Sequence, residues 1–305
     1  MKDTVKYIKL KIDETNSHGL EKIHEPKLVT HKSKPITVVS DGRRVDNGYI
    51  GFQSPYISLL PDDSSSIHLI WKGKEHDTEL SKKHIRKSLT ILDKKEGVDV
   101  ILLTGGEHLH PYTTESTSTV NDDELNKYGG YCLARDIAGV ELLEFAEKHN
   151  KTVISICRGM QLTINYFSNK TIKPRDHNQY IHTVIPGETD PILQLHKVKS
   201  ILPKELKDRF PIIPEISIVN SAHAQGILLS DLTENSLSIL KDNGWIPWLV
   251  ADIEGIDEQN QVIEGWIRIS NDKITGVALQ FHPERDYSQE ENKKIREFIK
   301  RVIVS

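Results

Sequence analysis

Three short segments hold side chains whose type and spacing allow covalent chemistry. In SICRGMQ a run of β-branched residues stops at Cys157, Arg158 and Gly159 follow, and a helical stretch begins. Such a strand-to-helix elbow exposes a nucleophile at the top of a sheet. The partial positive charge of a helix N-terminus also favours a thiolate, and Gly159 suits the tight turn. The second segment, GVALQFHPE, ends an apolar run at His282 and Glu284. Two residues apart on an extended chain, these side chains point to the same side. The carboxylate then holds the imidazole in one tautomer and leaves the other ring nitrogen for a thiol. A neutral histidine, with an ordinary pKa of about 6.5, is a competent base near neutral pH. The third segment, Thr104-Gly105-Gly106, follows another apolar run, and its glycines let backbone N–H groups approach a substrate closely. Together with the Arg158 amide, Gly105 and Gly106 form a candidate oxyanion hole. Taken singly, each segment has an ordinary alternative: a core cysteine, a surface histidine, a plain turn.

The elements that must position these residues alternate along the chain. Strands are expected at Ile36–Val39, Val98–Leu103 and in TVISI before Cys157. Helical spacing covers His84–Lys95 and Leu133–His149, the latter with Ile137, Val140, Leu143 and Phe145 on or near one apolar face. Apolar strands separated by helices predict an α/β fold, with a mainly parallel central sheet covered on both faces. The C-terminal part is more strand-rich. Ile216–Val219, Trp245–Ala251, Gln261–Ile269 and Thr275–Phe281 are strand-like, the last two forming a hairpin across Ser270–Lys273, and a helix runs from Ser288 to Val302. Residues 1–34 differ from the rest and are expected to be an N-terminal extension, with one half-buried strand over Val5–Ile12; residues 35–305 form a single domain. The long polar segment between His110 and Arg135 follows a strand end, where ligands bind in open α/β sheets.

Bulk properties exclude several classes. A chain of 305 residues with 37% hydrophobic and 28% charged side chains has material for one sizeable core. A net charge of −4 gives no reason to expect nucleic acid or an anionic membrane as partner. Two cysteines are too few for a disulfide framework, and no Cys/His cluster suggests a metal, so no cofactor is expected. The sequence shows neither a secretory leader nor an apolar run long enough to span a bilayer, which predicts a cytoplasmic setting.

In order along the chain, these segments resemble the class I glutamine amidotransferase-like superfamily, most closely its γ-glutamyl-γ-aminobutyrate hydrolases. TGGEHLHP resembles the family's TGG-x-D-x-x-P loop, ARDIAGVELLEFA its RD-x-x-E helix, and SICRGMQLTIN its ICRG-x-Q-x-x-N elbow. HKVKS (196–200), NSAHAQG (220–226), VIEGW (262–266) and GVALQFHPE (276–284) are similar to its remaining motifs, so the resemblance spans about residues 35–305.

The resemblance implies a flavodoxin-like class I glutamine amidotransferase fold with a smaller antiparallel C-terminal portion. It also implies a Cys157–His282–Glu284 triad, oxyanion donors at Gly105 or Gly106 and Arg158, and a γ-glutamyl subsite containing Gln161, Ser221 and His223. Arg135, Asp136 and His196 are expected to be structural. The implied activity is hydrolysis of a small γ-glutamyl amide, releasing glutamate and an amine, by a chain able to form a homo-oligomer. A glutaminase subunit feeding ammonia to a synthetase partner, or an idle regulatory module, are the competing readings. Ser155, Met160, Glu107, His108, Ala224 and the YFSNKTI stretch depart from the family pattern where the leaving amine would lie, which leaves the amine open.

Overall fold

Alternate residues of neighbouring strands enter two different cores. In the computed structural model, Val39, Ile101, Leu103 and Val153 pack on one side of the sheet, whereas Val38, Val100, Leu102, Ile154 and Ile156 pack on the other. This period of two with apolar residues on both faces marks strands buried between helical layers. Residues 19–24, 36–41, 43–45, 48–50, 54–70, 78–106, 108–110, 113, 133–176, 194–221, 223, 225–285 and 290–305 are described. The Val5–Ile12 strand, Cys132 and most of the polar segment after His110 lie outside them.

The strands are β1 (Gly19–His24), β2 (Ile36–Asp41), β3 (Arg43–Val45), β4 (Gly48–Ile50), β5 (Ser64–Ile70), β6 (Val100–Leu103) and β7 (Thr152–Ile156). They continue as β8 (Arg175–Asp176), β9 (Gln194–Ser200), β10 (Ile218–Ser221), β11 (Gln225–Gly226), β12 (Trp245–Ala251), β13 (Ile263–Ser270) and β14 (Lys273–Leu279). Among the described residues, six α-helices accompany them: α1 (Thr78–Lys95), α2 (Leu133–Lys148), α3 (Arg158–Phe167), α4 (Lys204–Arg209), α5 (Glu234–Asp242) and α6 (Glu290–Val304).

Ten strands form one sheet in the order β1-β5-β2-β6-β7-β14-β13-β12-β9-β10. The stretch from β5 to β14 is parallel throughout, as expected for the α/β core. Beyond β14 the sheet continues antiparallel through β13, β12, β9 and β10, so the C-terminal portion extends the same sheet. The β13–β14 hairpin turns at Asn271 and Asp272, with φ of 51° and 61°. Asn and Asp tolerate this left-handed backbone, which matches the twist of a two-residue hairpin. On the other edge β1, from the N-terminal 34 residues, pairs antiparallel with β5.

α1, α2, α3 and α5 cover one face through Ile85, Leu89, Leu142, Leu143, Leu162 and Leu240. α6 and a 3-10 turn at Ser54–Leu59 cover the other through Ile295, Phe298, Ile299, Tyr56 and Leu59. Two elements differ from the sequence expectation. α2 is buried around most of its circumference, because α1 and α3 pack on it as well as the sheet. β5 was not anticipated: its first residues, Ser64, Ser65 and Ser66, are buried yet carry no apolar alternation.

Candidate active site

The parallel pairing of β7 with β14 brings the distant segments together. Ile156 lies opposite Leu279, so Cys157 and the run Gln280–His282 leave the sheet side by side. The Cys157 N–H donates to the Leu279 carbonyl at 2.6 Å. Cys157 itself sits at φ 52° and ψ −112°, a strained backbone for a residue with a Cβ. Gly159 lets the elbow close, since a Cβ there would lie 2.4 Å from the Leu103 carbonyl oxygen.

His282 is buried and its Nδ1 lies 2.6 Å from Glu284 Oε1, the pairing expected from the two-residue spacing. Burial alone would lower the ring's pKa. The negative charges of Glu284 and Cys157, with hydrogen bonds to both, outweigh it and raise the value to about 9. Cys157 and His282 also converge on Gly105, whose missing Cβ would fall 2.7 Å from His282 Cε1 and 3.3 Å from Cys157 Cβ. The cysteine, the histidine–carboxylate pair and the glycine loop therefore form one buried cluster, equipped for nucleophilic attack assisted by a base.

The raised pKa of His282 has a consequence for stability. Its stabilising contribution is fully present below pH 6.5, where the unfolded ring is also protonated, and is lost as pH rises through about 9. From about 1.4 kcal/mol per unit, the full effect is roughly 3 kcal/mol. Calorimetric melting between these pH values is expected to show a declining Tm that flattens in Glu284→Gln; equal slopes in the two proteins would contradict the pairing.

The two glycines are not equivalent. The Gly105 N–H donates to the Tyr56 hydroxyl at 2.9 Å, so this amide, expected as an oxyanion donor, is already engaged. Arg135 Nη2 donates to the carbonyls of Thr104 (3.1 Å) and Gly105 (2.9 Å). In a trans peptide the N–H points opposite the carbonyl, so the Gly106 N–H faces away from Arg135. Gly106 has φ 150°, and a Cβ there would lie 2.3 Å from Arg135 Nη1. Tyr56 carries no local sequence signal for this contact. Burial first, then the charges of Glu284 and Cys157, raise its pKa well above the ordinary phenol value, which keeps it neutral.

A fully buried ion-pair cluster holds the loop and the elbow. Arg135 Nε bonds Asp41 Oδ2 at 2.7 Å, and Arg158 Nη1 reaches the same oxygen at 3.2 Å. Arg158 also pairs with Asp136, which accepts from the His110 N–H at 2.7 Å and the Thr113 hydroxyl at 2.8 Å. Burial would raise the Asp41 pKa, but the charges of Arg135 and Arg158 and the Thr104 N–H bring it below the ordinary value. Arg135 and Asp136, expected to form an ion pair or cap, are each paired across the fold rather than with the other.

The residues of the expected γ-glutamyl subsite lie on α3, on β10 and beside Glu264. Asn220 grips the His282 backbone: its Oδ1 accepts from the His282 N–H at 2.8 Å and its Nδ2 donates to the His282 carbonyl at 2.9 Å. Ser221, next on β10, is fully buried, and its hydroxyl has no hydrogen-bond partner among the described residues. His223 Nε2 lies 3.5 Å from Glu264 Oε1, and His196 Nε2 lies 3.0 Å from the same atom. Burial would raise Glu264, but the two imidazoles lower it to about 2. Among the described residues no group of His, Cys, Asp and Glu could hold a metal ion, and no helix is long and apolar enough to cross a membrane. Gln161 donates from Nε2 to the Gln225 carbonyl (2.8 Å) and to Gln280 Oε1 (3.2 Å).

An α/β sheet with a strained cysteine elbow beside a buried His–Glu pair defines a class of thiol hydrolases and amidotransferases. The model of the Peptidase C26 family matches residues 87–284, and the chain belongs to that family. The putative glutamine amidotransferase-like protein YvdE of Lactococcus lactis is 24% identical over 215 residues, covering 70% of this chain and 75% of that protein. Protein NtpR of Enterococcus hirae is 27% identical over 200 residues, covering 63% and 69%. Among solved structures, the Trypanosoma brucei CTPS glutaminase domain with bound acivicin aligns with a TM-score of 0.47 at 12% identity, covering 88% of this chain and 94% of that one. A glutamine amidotransferase from Thermotoga maritima aligns with a TM-score of 0.46 at 13% identity, covering 88% and 99%.

Proposed function

We propose that the chain hydrolyses γ-glutamyl amides of small molecules through a γ-glutamyl thioester on Cys157. The observation that carries this reading is the convergence of the strained Cys157, the His282–Glu284 pair and Gly105 within one buried cluster. His282 and the sulfur form an ion pair, and the thiolate attacks the γ-carbonyl carbon of the substrate. The tetrahedral oxyanion is met by the backbone N–H groups of Gly106 and Arg158; the latter begins α3, so its amide has no partner within the helix. His282 gives its proton to the departing amine as the C–N bond breaks. Water then loses a proton to His282 and attacks the thioester, releasing glutamate and restoring the pair. Gln161, through its remaining carbonyl, and Ser221, through its buried hydroxyl, are the side chains assigned to the glutamyl end. His223 supports them from its place beside Glu264.

The name of the Lactococcus lactis relative favours glutamine itself as the amide, a glutaminase reading that the same chemistry serves. Glutamate release by the purified chain from γ-glutamyl-γ-aminobutyrate, a γ-glutamyl polyamine, a poly-γ-glutamate and glutamine separates the two. The expected result is turnover of at least one substituted amide about tenfold or more faster than glutamine. Turnover of glutamine alone, rising on addition of a synthetase, would replace this reading with the glutaminase one. No turnover and no labelling of Cys157 by a γ-glutamyl electrophile would leave an idle module.

A further inference from the structure

Gln280, separated from the HPE motif by Phe281, directly follows β14 and is wholly buried. Its Nε2 is 3.6 Å from Cys157 Sγ, within hydrogen-bond range for sulfur. Its Oε1 accepts from Gln161 Nε2 at 3.2 Å, and Gln161 Nε2 also donates to the Gln225 main-chain carbonyl at 2.8 Å. Oxygen and nitrogen of a primary amide are distinguished only by their partners. Here one end of the chain of bonds is unambiguous, because a main-chain carbonyl can only accept. Gln161 must therefore turn its NH2 toward Gln225, where the second hydrogen of that group meets Gln280. Gln280 must answer with its oxygen, and its own NH2 is left facing the sulfur. The Gln225 carbonyl is fixed in turn by the pairing of β11 with β8, Gln225 opposite Asp176.

We propose that Gln225, Gln161 and Gln280 form a polarised amide relay whose last member donates a hydrogen bond to the Cys157 sulfur. The inference rests on the reading of Cys157 as the nucleophile. The charge and hydrogen bonding of His282 act on the sulfur, and Gln280 supplies it with an amide donor as well. A neutral amide stabilises the thiolate without supplying a proton that could be lost. It also keeps Sγ in place after His282 has given its proton to the leaving amine. Gln161 then has two duties, to hold Gln280 through its NH2 and to face substrate through its carbonyl. Hydrogen bonds to charged groups contribute about 1.5–3 kcal/mol, roughly ten- to a hundredfold in the thiol–thiolate balance.

The test is iodoacetamide alkylation of the full-length chain across pH, with the Cys157 peptide quantified by mass spectrometry. No glutamyl substrate is present, so an incorrect substrate assignment leaves the result untouched. Gln280→Met retains volume and removes the donor; the pH at half-maximal alkylation is expected to rise by about one unit or more. Gln280→Glu places a carboxylate beside the sulfur and is expected to move it further. Gln161→Met leaves Gln280 in place but unorients it, and is expected to shift the midpoint the same way by less. With the preferred amide, Gln280→Met is expected to lower kcat by tenfold or more with KM within about twofold. A wild-type midpoint in folded Gln280→Met would overturn the hydrogen bond, and a wild-type midpoint in Gln161→Met would overturn the relay. Should Gln280→Met fail to fold, Gln280→Glu and Gln161→Met decide the matter. Full hydrolysis by Cys157→Ala would instead remove the nucleophile reading itself.

Discussion

Cys157→Ala is expected to lower glutamate release by about 10,000-fold or more while the protein melts within a few degrees of the parent. Removing a nucleophile that acts as one unit with its base takes away almost the whole covalent route. What survives is the slower attack of a water near His282 on a carbonyl polarised by the oxyanion donors. The fold is expected to tolerate the change because the elbow is set by backbone groups, the Cys157 N–H on the Leu279 carbonyl and Gly159 against Leu103. Alanine keeps that geometry and removes only the sulfur. The check is steady-state turnover beside circular-dichroism melting. Appreciable turnover in a well-folded Cys157→Ala would refute thioester chemistry, whereas loss of folding would show that the sulfur is structural.

The second large effect is on stability. Arg135→Ala is expected to destabilise the protein by roughly 3–5 kcal/mol, the range for breaking a buried ion pair by removing one partner. Four acceptors lose this donor at once: the Asp41 carboxylate, the Thr104 hydroxyl and the carbonyls of Thr104 and Gly105. Asp41 retains Arg158, which prevents a wholly uncompensated charge. For a chain of 305 residues the Tm should fall by roughly 5–8 °C. The mutant is also expected to be more acid-sensitive. The stability that Asp41 gains from its lowered pKa is present above the ordinary carboxylate range and lost as pH falls, and without Arg135 that loss begins at higher pH. Arg135→Lys restores charge without the planar fork, so it should recover part of the Tm and less of kcat. A Tm near wild type in Arg135→Ala would show that the cluster does not hold the glycine loop.

How much of this was legible in the sequence depended on the distance over which each residue's environment is set. The nucleophile elbow and the His282–Glu284 pair are local: strand alternation, a turn glycine and a two-residue spacing define them. The α/β core was legible for the same reason, since Val38, Val100 and Ile154 lie in apolar runs. β5 escaped because its buried serines carry no apolar pattern. Tyr56 and Gln280 escaped because their roles follow from the order of strands. Gln280 meets a partner 123 residues away, and Arg158 meets Asp41 across 117. The partners of the NSAHAQG loop are as distant: Asn220 holds the backbone of His282, 62 residues on, and His223 lies against Glu264.

The backbone at Cys157 sets the interests of folding against those of catalysis. A non-glycine residue at φ 52° and ψ −112° holds about 1–3 kcal/mol of strain that the surrounding strands and α3 must absorb. Glycine would relieve it at the one position where relief removes the thiol. Under the proposed function, the strain at Cys157 is stability given up to keep a thiol at the elbow.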